Sequence, residues 1–142
     1  MIMIEKAEFE RFVSEMPAPE RAVPFFQTPD GKAFTPQEVL DHWDDPAWAD
    51  VKAAASSKIL GLRLEDSGGP RLALSVDFLA GRLLKKHEMG QLAGFFIAPA
   101  QRVEAEELVD HVKARDKIGM MRIQAEGMLV RQLARPLKRK VD

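Results

Sequence analysis

Residues 57–78 read SKILGLRLEDSGGPRLALSVDF, and how this stretch folds decides the architecture of the whole chain. Leu60, Leu62 and Leu64 alternate with smaller or polar residues, and Leu72, Leu74 and Val76 do the same. Between the two runs lies Asp66-Ser67-Gly68-Gly69-Pro70. Successive side chains of a strand point to opposite faces, so a period of two on both sides of a glycine-rich turn predicts a β-hairpin over 59–76 with one buried face. A second apolar run, LAGFFIAP, is compact and stopped by proline, which predicts a buried strand near 92–98. The fold expected from these runs is α+β: a small antiparallel sheet covered by four to five helices drawn from both ends of the chain. A single domain is expected over residues 1–135, with a basic, mobile tail at 136–142.

The covering helices carry their own signals. Phe9, Phe12, Val13 and Met16 recur at helical spacing and predict a helix from Ile4 to Met16, ended by Pro17. In FFQTPDGKAF, Phe25, Phe26 and Phe34 flank a Pro-Asp-Gly turn, which predicts a short hairpin or ordered loop anchored to the core by its rings. Thr35-Pro36-Gln37-Glu38 is a capping box with proline at the first helical position. Farther on, DHWDDPAWAD (41–50) gathers both tryptophans and four aspartates. Asp45 before Pro46 predicts a second cap, so the stretch reads as a junction between two helices with Trp43 and Trp48 turned to the core. A helix over Phe78–Met89 is expected, capped by Asp77 and closed by Gly90. RVEAEELVDHVKARDKIG, acidic early and basic late, predicts another helix closed by Gly119. Residues 120–134 fit either period, since Met121, Ile123 and Ala125 alternate while Met120, Ile123, Gly127, Val130 and Ala134 fall on one helical face.

Composition limits the chemistry. The chain of 142 residues has no cysteine, which removes disulfides, thiolate nucleophiles and cysteine-ligated metals. A hydrophobic share of 46% with 30% charged residues is that of a globular protein. The N-terminal MIMIEKAEFE resembles no signal peptide, and no run approaches the ~20 apolar residues of a membrane span. A cytoplasmic protein with no membrane partner is therefore expected. The net charge of -1 conceals a gradient: residues 1–50 hold 4 basic and 11 acidic side chains, and residues 111–142 hold 9 and 3.

No motif assigns an activity. His42 beside Asp41, Asp44 and Asp45 offers metal or acid–base atoms without ligand spacing, and the capping roles compete for the acids. Glu107 and His111 lie at i and i+4 on one helix, a pair able to orient an imidazole for proton transfer, with the solvated ion pair as the simpler reading. Neither G-x-S-x-G nor a phosphate-cradling glycine loop occurs. No cofactor and no metal is expected. Arg131, Arg135, Lys138, Arg139 and Lys140, with Lys113, Arg115, Lys117 and Arg122 upstream, form the candidate nucleic-acid surface, although no aromatic follows Phe96 for base stacking. The function expected first is an accessory protein working through protein contacts and self-association. A nucleic-acid binder using the basic end comes second, and a small enzyme using His42, Glu107 or His111 third.

Overall fold

The computed structural model describes residues 3–135, so the expected mobile tail, with Lys138, Arg139 and Lys140, lies outside the described residues. In chain order the elements are α1 (Lys6–Glu15), a 3-10 turn (Ala18–Ala22), β1 (Phe26–Gln27), β2 (Ala33–Phe34), α2 (Pro36–Asp41), a second 3-10 turn (Pro46–Trp48), α3 (Ala49–Asp66), α4 (Val76–Glu88), β3 (Phe95–Ala98), β4 (Gln101–Val103), α5 (Ala105–Ala114) and α6 (Lys117–Ala134). The fold is α+β, with antiparallel pairs β1–β2 and β3–β4. The residues gather into two compact units, one from residues up to Ala73 with those from Val130 onward, the other Leu74–Leu129.

The hairpin expected over 59–76 does not form. Its first arm is the end of the 18-residue α3, whose buried positions Val51, Ala55, Ile59 and Leu62 follow the helical period. Of the three alternating leucines only Leu62 is buried, and Leu64 is 57% exposed. The supposed turn is a helix terminus. Gly68 adopts φ +95°, its N–H donates to the Glu65 carbonyl at 3.1 Å, and the Gly69 N–H reaches back to the Leu64 carbonyl at 2.8 Å. These two bonds satisfy the last carbonyls of the helix, and Pro70 prevents its resumption. The second arm forms no strand: residues 71–75 belong to no helix or strand, the Leu72 N–H donates to Glu65 Oε2 at 2.8 Å, and Val76 is the first residue of α4.

The buried strand expected near 92–98 is confined to β3, none of whose residues is buried, with Phe96 62% exposed. It pairs with its neighbor β4, with Phe95 opposite Val103 and Phe96 opposite Arg102. The ambiguous segment 120–134 is helical throughout.

Unit 1 packs around rings. Phe9 stacks on Trp43 with centroids 4.8 Å apart, and Phe25 meets Phe12 and Phe26 edge-on at 5.5 and 5.0 Å. The capping box forms as expected: Thr35 Oγ1 accepts from the Glu38 N–H at 3.1 Å, and Glu38 Oε1 accepts from the Thr35 N–H at 3.0 Å. The end of α6 closes this unit through Arg131, whose Nε lies 2.7 Å from Glu65 Oε1 and whose Nη2 donates to the Leu72 carbonyl at 2.9 Å.

In unit 2, α4 starts two residues earlier than expected, at Val76. Its cap is the Ser75 hydroxyl, which accepts from the Phe78 N–H at 3.0 Å, so Asp77 lies inside the first turn. Arg115, at φ +53°, ends α5 in the left-handed region. Gly119 is therefore not the closing residue of α5 but part of the first turn of α6. There a Cβ would overlap the His111 carbonyl, and only glycine lets the two backbones approach so closely.

The core of unit 2 also holds charge. Glu126 of α6 is fully buried, with Oε2 3.0 Å from Arg82 Nε and 2.7 Å from Lys86 Nζ on α4, and Oε1 3.2 Å from Arg122 Nη1. Burial alone would raise the Glu126 carboxyl, but Arg82, Lys86 and Arg122 outweigh it and hold the group below the usual glutamate range. Arg82 and Lys86 stand one turn apart, so one carboxylate fixes the register of α4 against α6.

Two measurements probe this packing. On helix propensity alone Gly119→Ala would stabilize by about 1 kcal/mol; the close approach reverses the sign, and denaturant unfolding should show a loss of about 2 kcal/mol. Glu126→Gln should cost about 3 kcal/mol by leaving a buried cation cluster without its carboxylate. Because the folded pKa lies below the unfolded one, the contribution of Glu126 is present above the ordinary glutamate range and lost as pH falls through the folded value. The wild type should accordingly lose stability on acidification in that range, and Glu126→Gln should show a smaller loss.

Candidate functional site

A groove of about 890 Å³ opens in unit 1 between the β1–β2 turn and the start of α3. Its first wall is set by that turn, where the Gly31 N–H donates to the Thr28 carbonyl at 2.9 Å and the Thr28 N–H to the Lys32 carbonyl at 3.0 Å. Asp30 folds back on the same turn, accepting from the Thr28 hydroxyl and from the Lys32 N–H at 3.3 Å. Those two donors, Thr28 first, hold its carboxyl below the usual range. Phe34 follows as the aromatic part of this wall.

The opposite wall rests on the second cap. Asp45 Oδ1 accepts from the Ala47 N–H at 2.9 Å, Pro46 begins the 3-10 turn, and the turn delivers Trp48 to the rim. Trp43 is buried in the core, but Trp48 is only half-buried. Its indole stacks on His42, with centroids 4.1 Å apart and planes 7° from parallel, and meets Phe34 edge-on at 5.2 Å. His42 Nδ1 lies 2.9 Å from the Glu38 carbonyl, which can only accept, so Nδ1 carries a proton and the ring is held as a backing plate for Trp48.

The other two histidines serve local contacts as well. His111 does not meet Glu107, which is exposed on the first turn of α5; its Nδ1 lies 2.6 Å from Asp116 Oδ2. Asp116 Oδ1 accepts from the Gly119 N–H at 2.9 Å, so this carboxylate ties the end of α5 to the start of α6. The Gly119 amide and then His111 hold Asp116 below the usual aspartate range. His87 is 4.0 Å from Glu106. Among the described residues no three His, Asp or Glu side chains converge as a metal site.

At the basic end most guanidinium groups already face acids. Arg131 pairs with Glu65, Arg135 with Asp66 at 2.9 Å, Arg122 with Glu126 and Arg115 with Asp77. Lys113 and Lys117 are exposed.

A second surface was hidden by the helix-or-strand ambiguity. Along α6, Met121, Gln124 and Met128 are exposed, the two methionines at 38% and 64%, with half-buried Ala125 between them. The stripe bears no charge in a chain that is 30% charged. Solvated helix faces are ordinarily charged, whereas the cores of protein interfaces are enriched in methionine and poor in Lys, Glu and Asp. Once the segment is known to be helical, the spacing Met121, Gln124, Met128 shows this face directly.

No protein-family model, curated protein or solved structure matches the chain.

If Asp45 serves as a cap, Asp45→Ala should lower stability by about 1 kcal/mol. Urea unfolding followed by tryptophan fluorescence measures the loss, and an unchanged midpoint would refute the capping role.

Proposed function

We propose that the protein is a cytoplasmic accessory protein that works through protein contacts and associates with a second copy of itself along α6. One observation carries this reading: the charge-free stripe Met121, Gln124, Ala125, Met128 has the same spacing read from either end. In a twofold interface, if residue i faces j then j faces i. With the axis between Gln124 and Ala125, two antiparallel α6 helices set Met121 of each copy against Met128 of the other. Antiparallel helices also oppose their dipoles favorably. Flexible, polarizable methionines pack well on such a surface without a rigid match of shape. The local duties of the histidines favor a contact role over acid–base chemistry, and among the described residues no helix is long and apolar enough to cross a membrane.

Sedimentation at micromolar concentrations tests the pairing. Met121→Lys and Met128→Glu, each alone, should weaken the dimer about tenfold or more by placing an unpaired charge in it. The double variant should recover association, because each lysine then faces a glutamate of the other copy. A wild-type monomer at these concentrations, or single variants that associate normally, would refute the assignment.

A further inference from the structure

We propose that the groove of unit 1 binds a peptide segment by a lysine or arginine side chain, a site that shares no residue with the α6 face. The groove resembles such a side chain in reverse. Ala53 and Ala54 line it with small apolar surface, Phe34 and Trp48 contribute an aromatic ring from each wall, and Asp30 and Asp50 supply carboxylates. A basic side chain has the complementary halves, an aliphatic stem that favors apolar surface and a cationic head that favors carboxylates and π faces.

Charge decides against an acidic ligand. Two carboxylates face one ammonium, that of Lys32, and the α3 N-terminus adds only about half a positive charge. Asp30 stays ionized because the Thr28 hydroxyl and the Lys32 amide both stabilize its charged form. Asp50 makes no hydrogen bond or ion pair among the described residues, whereas nearby Asp44 is taken by Lys6 at 2.6 Å and Asp45 by its cap. The surrounding sequence strengthens the sign, with 11 acidic and 4 basic side chains in residues 1–50.

Unit 1 already uses this contact internally. Lys52 Nζ lies 5.4 Å from the Trp43 ring and Lys58 Nζ 5.1 Å from the Phe25 ring. Among the described residues no cation of the chain covers Phe34 or Trp48, the two rings that face the groove. A volume of about 890 Å³ exceeds one side chain and leaves room for flanking main chain.

Calorimetric titration of the full chain with acetyl-Ala-Lys-Ala-Lys-Ala-amide, and with the same peptide carrying Glu for Lys, is the test. The lysyl peptide should bind, and the glutamyl peptide should not. Asp50→Asn should weaken binding about tenfold while lowering the thermal midpoint only slightly, through the loss of a first-turn acid, and added salt should weaken binding further. Trp48→Leu should weaken it as well, with Trp43 left as the fluorescent reporter of an intact fold. Equal binding of the glutamyl peptide, no binding of the lysyl peptide, or an Asp50→Asn variant that binds as the wild type does would overturn the proposal.

Discussion

A single carboxylate, that of Glu126, sets the terms for unit 2. A fully buried ionized group is tolerated only when its partners are in place, and here they come from α4 through Arg82 and Lys86 and from α6 itself through Arg122. Hydrophobic packing of Phe78, Leu83, Val112 and Ile123 favors many arrangements of similar energy, whereas the ionic contacts are directional. With α4 and α6 in register, α5 is held by the close approach at Gly119 and by Asp116, which joins His111 to the first turn of α6. The α6 face that bears Met121 and Met128 is the side opposite this charged cluster, so its exposure follows from the burial of Glu126.

Local signals read correctly at several caps and turns, though not at Asp77, since Ser75 caps α4, nor at Gly119, since Arg115 ends α5. Among the correct ones are the Thr35–Glu38 capping box, the Asp45 cap, the close of α4 at Gly90 and the pairing of Phe26 with Phe34. The error at 57–78 has a physical source. Gly61 lowers helix propensity by about 1 kcal/mol, and Leu60 and Leu64 mimic a strand by alternation although only Leu62 is buried. Gly68-Gly69-Pro70 stops a helix as well as it turns a hairpin, and composition does not distinguish the two uses. What the local pattern lacked was the stripe from Val51 to Leu62, which begins before the leucines and overrides their alternation.

The candidate surfaces were legible to different degrees. Phe34 was visible as an aromatic beside a turn and Trp48 as a ring expected to turn to the core, but their meeting at a groove depends on residues 28–34 and 47–57 folding toward each other, which no single window contains. His42 stood out for its aspartate neighbors and proves to matter for a ring, since it backs Trp48. The α6 face could be read only after the helix was known. Glu126 gave no sign in the sequence, because a glutamate among Arg122, Met128 and Val130 looks like any solvated helix charge.

Unit 1 is discontinuous in sequence. Arg131 returns to Glu65 and Leu72, and Arg63 Nε donates to the Ala134 carbonyl at 3.2 Å, so the contacts that close this unit join residues 59 to 71 positions apart. A chain emerging from the ribosome must therefore expose the unfinished edge of α3 throughout the synthesis of unit 2, and it is covered only once the residues from Val130 onward have been made. Biosynthesis thus imposes an order: the interrupted unit starts before the unit that interrupts it and is completed after it.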